Sequence, residues 1–158
     1  MSARVLFPLV ILLCLIGGCN KNGIPEETYE FDHQGWSEGM ELTFHPFANP
    51  DFHNNSSRAY NVTLIVRYSE RCPFSSLPIE LQYPFTSGNV DEKKTLILNL
   101  FDNNDYADGQ GHYGVFETSE VIFDSIPFDP NFYFMVSPLT PRVEGILSVS
   151  ARIDKLDL

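Results

Sequence analysis

Leu77–Thr86 reads LPIELQYPFT: Leu77, Ile79, Leu81, Tyr83 and Phe85 alternate with Pro78, Glu80, Gln82, Pro84 and Thr86. Successive side chains of an extended chain point to opposite faces, so this stretch sets five large apolar groups on one side. A helix of about 3.6 residues per turn would scatter the same groups around its circumference. The segment is therefore predicted to be a strand. Proline lacks the N–H that a ladder requires, so Pro78 and Pro84 predict that this strand lies at a sheet edge or contains a break.

Tyr60–Tyr68 (YNVTLIVRY) repeats the alternation, with Tyr60, Val62, Leu64, Val66 and Tyr68 opposite Asn61, Thr63, Ile65 and Arg67. It is the best candidate for a central strand. Further strands are predicted at Tyr29–Asp32, Met40–Phe47, Thr95–Phe101, Val115–Phe123 (with a break), Asn131–Ser137 and Val143–Ile153, separated by turns rich in Gly, Pro, Asn and Asp. No twelve-residue window from Thr28 onward carries a 3.6-residue period, so the crossover helices of a parallel sheet are missing. The expectation is all-β: an antiparallel β-sandwich of seven or eight strands, jelly-roll-like in one version, with aromatic side chains between the sheets.

The 158 residues suit one compact domain, and 43% hydrophobic content supplies a core without metals or disulfide staples. The formal charge is −11, from 21 acids against 10 bases. A chain this acidic is repelled by polyanions, which excludes nucleic acid as a partner and excludes binding to anionic lipid through basic residues.

The first residues are read as a sorting signal. Arg4 precedes the apolar run Val5–Ile16, and Gly17-Gly18 stand directly before Cys19. As a helix that run would rise about 18 Å, too short for a hydrocarbon core of about 30 Å. Ile16-Gly17-Gly18-Cys19 resembles the bacterial lipobox, in which the cysteine thiol is acylated and becomes the new N-terminus. Residues 1–18 are thus expected to be a signal peptide, with Cys19 the lipidation site. The polar stretch 19–27 is expected to be a short tether, and residues 28–158 the folded domain. Cys14 departs with the signal and Cys19 carries lipid, which leaves Cys72 without a disulfide partner.

Several features taken in order carry a resemblance: the lipobox; Phe31 and Trp36 before an aromatic strand ending at Phe44; Tyr60-Asn61-Val62-Thr63-Leu64-Ile65-Val66-Arg67 followed by Pro73-Phe74 and Leu77; Gly109, Gly111 and Gly114; and Leu139, Arg142 and Gly145-Ile146. In these the chain resembles the gliding-motility lipoprotein GldH family. The resemblance implies an outer-membrane lipoprotein facing the periplasm, associated with the gliding apparatus and the type 9 secretion system that works with it.

Catalytic and metal signatures are sparse. Asp102–Gly111 (DNNDYADGQG) has the composition of a calcium loop, but no register of the EF-hand pattern fits it, so a solvated turn is the simpler reading. His33, His45, His53 and His112 form no HExxH motif and no close Cys/His pair, and no metal ligand set is assigned. There is no G-x-S-x-G elbow, and Ser75-Ser76 have no nearby His to act as a base. Cys72 follows Arg71 in a turn, and one exposed base is a poor activator of a thiol.

Trp36, between Gly35 and Gly39, is a candidate contact residue or a core tryptophan. Arg67 and Arg142 each either reach a partner or anchor a carboxylate within the sheet. Asp124-Ser125-Ile126 resembles an O-glycosylation sequon, with Ser125 the acceptor. The reading is a non-enzymatic lipoprotein without a cofactor, working through contacts with envelope proteins of a gliding or secretion complex. The alternatives are a jelly-roll carbohydrate-binding lipoprotein, marked by an exposed aromatic row, and an envelope hydrolase, marked by convergent acids or histidines in a deep pocket.

Overall fold

The computed structural model describes residues 26–32, 35–48, 59–84, 91–101, 110–112 and 114–156. The signal segment, Cys19 and most of the tether lie outside this set, as do His33, His53 and residues 102–109 of the acidic turn. The strands are β1 (Glu26–Glu30), β2 (Trp36–Ser37), β3 (Leu42–Phe44), β4 (Ala59–Ser69), β5 (Ser76–Pro84), β6 (Asp91–Asn99), β7 (Gln110–His112), β8 (Val115–Pro127), β9 (Phe134–Pro138), β10 (Arg142–Val143) and β11 (Ile146–Lys155). No helix occurs among the described residues.

One sheet runs β1-β11-β4-β8-β7, the second β3-β9-β5-β6, and β10 pairs with β2 in a small ladder; every pairing is antiparallel. Eight of the strands nest: β5 with β6, β4 with β8, β3 with β9 and β1 with β11, alternating between the sheets. A long hairpin rolled upon itself produces this nesting, which is the jelly-roll arrangement.

The inward rows of the two sheets meet in one core. Val62, Leu64, Val66 and Tyr68 of β4 are fully buried with Leu77, Ile79 and Leu81 of β5. Aromatic rings do fill the space between the sheets: Phe44 stacks on Phe134 at 5.1 Å, and Tyr29 meets the edge of Phe44 at 5.1 Å. A smaller cluster of Phe47, Tyr60 and Ile153 closes one end. Every buried side-chain nitrogen or oxygen among the described residues has a hydrogen-bond partner; Tyr68, for example, donates to the Leu100 carbonyl.

Three expectations need correction. β5 is not an edge strand, because β9 and β6 flank it. Its β9 ladder covers only Ile79–Gln82. Pro78 stands just before that ladder and Pro84 two residues beyond it, and the Pro78 carbonyl still accepts from Leu139 N–H at 3.0 Å. Glu26 and Glu27, placed by the sequence in the tether, belong to β1, because they pair with Arg152 and Ala151. β8 runs past its expected end at Phe123 to Pro127, and the expected break within it takes the form of register shifts opposite Tyr60–Thr63.

Candidate functional site

β1 rises from Glu26, and the strands that follow run alternately toward one or the other of two poles. The pole toward which β1 rises gathers the described parts of four loops: Phe31–Asp32 with Gly35–Glu41, Glu70–Ser75, Leu100–Phe101 with Gly114, and Leu139–Gly145. Backbone hydrogen bonds stitch these loops to one another and to the strand ends. Ser69 N–H donates to Gly145 O at 2.8 Å, Glu70 N–H to Gly114 O at 3.2 Å, Glu38 N–H to Pro141 O at 3.0 Å and Leu100 N–H to Ser75 O at 2.9 Å. The β10–β2 ladder adds Val143 opposite Trp36 and Arg142 opposite Ser37.

Two glycines make these close approaches feasible. Gly35 has φ +71°, and a Cβ there would lie 2.2 Å from Val143 O. Gly145 has φ +82°, and its Cβ would lie 2.6 Å from Cys72 N. Any L side chain would be both strained and obstructed.

Trp36 belongs to this pole but not to its surface. It is fully buried, stacks on Phe31 at 6.0 Å and donates Nε1–H to Met40 O at 2.9 Å. The reading of Trp36 as a contact residue is therefore corrected: it is a core side chain that fixes the first loop. Arg142 is exposed on the pole with Nε 3.4 Å from Glu144 Oε1.

Arg67 lies on the outer face of β4, near the same end of the sheet. Its Nε donates to Glu117 Oε2 on β8 at 2.8 Å, with Glu26 of β1 at 3.9 Å. The Glu117 carboxylate holds the guanidinium pKa above its ordinary value, more than burial lowers it. This is the within-sheet pairing that the alternation of β4 allowed.

Open cavities line the pole. One of about 350 Å³ is walled by Glu70, Cys72, Phe74 and Phe101. Another of about 490 Å³ runs past Phe31, Asp32, Arg71 and Glu144. A third, of about 550 Å³, shares Phe31 and Asp32 and continues along the edge of β1 to Met40 and Glu41.

Cys72 is buried, and that burial pushes its thiol pKa up, opposed only in part by a backbone hydrogen bond at Phe74. A nucleophilic thiol needs the opposite shift. Among the described residues no group of three or more His, Cys, Asp or Glu is placed to hold a metal ion. His45 sits at the other pole, its ring 6.0 Å from Tyr133.

Ser125 is exposed on β8, near the opposite pole, in a left-handed conformation with φ 55°. Asn61 Oδ1 accepts its backbone N–H at 3.0 Å. The sequon reading requires an acceptor outside the core, and Ser125 meets that condition.

The outward rows of both sheets carry Thr28, Ser150, Ile65 and Ser119 on one side and Thr43, Met135, Gln82 and Lys93 on the other. No aromatic side chain stands in these rows among the described strand residues, so the carbohydrate reading lacks its distinguishing feature.

The cavity beside β1 was not anticipated from the sequence. Its one available signal was the spacing of Glu30, Asp32 and Glu41 around two glycines, which carries meaning only once β1 and β3 are known to face each other. No family model matches the sequence, and no curated protein matches it.

Proposed function

We propose that this chain is a non-enzymatic outer-membrane lipoprotein of the gliding-motility GldH kind. In this reading it is anchored through Cys19, faces the periplasm and supports a gliding or type 9 secretion complex by contact with other envelope proteins. The observation that carries the reading is the polarity of the fold: the described parts of four loops, stitched backbone to backbone, gather at the end away from which the chain enters β1. Cys19 precedes Glu26 by seven residues. At about 3.5 Å per residue that spans at most about 25 Å, so an acylated Cys19 holds the opposite pole near the bilayer and presents the loops outward. A preformed platform loses little conformational freedom on docking, which favours recognition of a partner.

Affinity purification of the tagged full-length protein from detergent-solubilised envelope tests this. The expected result is copurification with gliding or secretion proteins, and an intact mass for a chain beginning at an acylated Cys19. An unmodified residue 19, or recovery of the chain alone, overturns the proposal.

A further inference from the structure

The cavity beside β1 has an apolar floor of Phe31, Met40 and Leu42 and a rim of Glu30, Asp32 and Glu41. Met40 is 43% exposed, so its side chain is within reach of a partner. No Lys or Arg occurs among the described lining residues. The strands on either side of the cavity are both terminal in their sheets: β1 is laddered only to β11, and β3 only to β9. Farther down, Tyr29 and Glu27 bridge the two edges and separate this cavity from another beside Glu26 and His45.

We propose that this groove is the docking site for an extended segment of a partner protein that carries Lys or Arg side chains on both sides of an apolar one. The rim carboxylates complement the basic groups and steer the encounter. The apolar floor distinguishes a peptide from a small polyvalent cation, which has nothing to bury there. A second copy of this chain is the wrong occupant, because its own edge, EETYE, brings three more acids to the same rim. The inference deepens the docking reading and rests on it for the existence of a partner, but the preference of the groove is measurable without one.

The test uses the full-length protein in a nonionic detergent and fluorescence anisotropy of labelled five-residue peptides. The basic probe is Lys-Val-Arg-Val-Lys and its acidic counterpart is Glu-Val-Glu-Val-Glu. The basic peptide is expected to bind, to weaken with added salt, and to lose about tenfold in affinity when Glu30→Lys and Glu41→Lys are combined. Glu120→Lys, on the exposed part of β8, is the control and is expected to leave binding unchanged.

Absence of binding overturns the proposal, as does equal binding of the acidic peptide. An equal loss in the Glu120→Lys control, or full displacement by spermidine at matched charge concentration, does the same. If the basic peptide binds as expected while the tagged protein copurifies with nothing, the docking-subunit reading fails and the groove assignment stands. The reverse pattern removes the groove and leaves the subunit reading intact.

Discussion

Tyr29 Oη donates a 2.6 Å hydrogen bond to the Thr43 carbonyl, joining β1 of one sheet to β3 of the other across the open flank of the sandwich. One strand turn away, His45 N–H donates to Glu27 Oε2 at 2.8 Å. Both bonds engage backbone groups on the side of β3 that faces away from β9. An unpaired strand edge is a template for unwanted pairing, and here side chains of the neighbouring sheet cover it.

Tyr29→Phe removes the hydroxyl and leaves the Thr43 carbonyl without its donor. The expected cost is about 1–2 kcal/mol, read as a lower denaturant midpoint with an unchanged slope. A midpoint equal to the parent would show that this bridge contributes nothing.

Burial and the Glu27 charge both raise the Tyr29 pKa, and the Glu92 carboxylate that accepts from Tyr83 Oη at 2.6 Å raises that of Tyr83. For a group whose pKa is higher folded than unfolded, the stabilisation is complete below the unfolded value, about 10 for tyrosine, and is lost as pH rises through the folded value. Stability is therefore expected to decline above about pH 10, with the Tyr29 and Tyr83 phenolates appearing later than in the unfolded chain. Absorbance titration of the parent and of Tyr29→Phe checks this, and the variant should show one late phenolate fewer.

Gly145→Ala places a methyl group 2.6 Å from Cys72 N at a positive φ, whereas Gly39→Ala meets nothing within 4 Å at φ +81°. Both substitutions strain the backbone, by about 1 kcal/mol or more. Only Gly145→Ala should also separate the second and fourth loops. Hydrogen exchange at Ser69 N–H, which bonds to Gly145 O, is expected to accelerate in that variant alone.

Cys72 is 5% exposed. In the native protein a thiol reagent should label it slowly, and at full rate in denaturant. Fast labelling of the folded chain would mean that the Glu70–Ser75 loop opens freely and that the pole is not a rigid platform.

Ser125→Gly relieves the left-handed backbone and is expected to be neutral or to stabilise by up to about 1 kcal/mol. Asn61→Ala, which removes the acceptor for Ser125 N–H, should destabilise by a similar amount. If Ser125 carries a glycan, the native intact mass exceeds the peptide mass by a sugar increment that Ser125→Ala abolishes.

LPIELQYPFT and YNVTLIVRY declare themselves strands because alternation is a local property. A period of two assigns each side chain to a face whatever the rest of the chain does, and that was sufficient for an antiparallel sandwich with Val62, Leu64 and Ile79 inside. The charged segment Glu26–Glu30 escaped this reading in part: its strand character comes from the ladder to β11, more than a hundred residues away, and not from an apolar face of its own.

What local pattern cannot encode is which strands become neighbours. The interior position of β5, the burial of Trp36 under the first loop, the pairing of Arg67 with Glu117 and the facing edges of β1 and β3 all depend on long-range register. Register is settled by how the whole core closes. The groove beside β1 belongs to this second class, because its acids and its apolar floor come from segments that only the roll of the two sheets brings together.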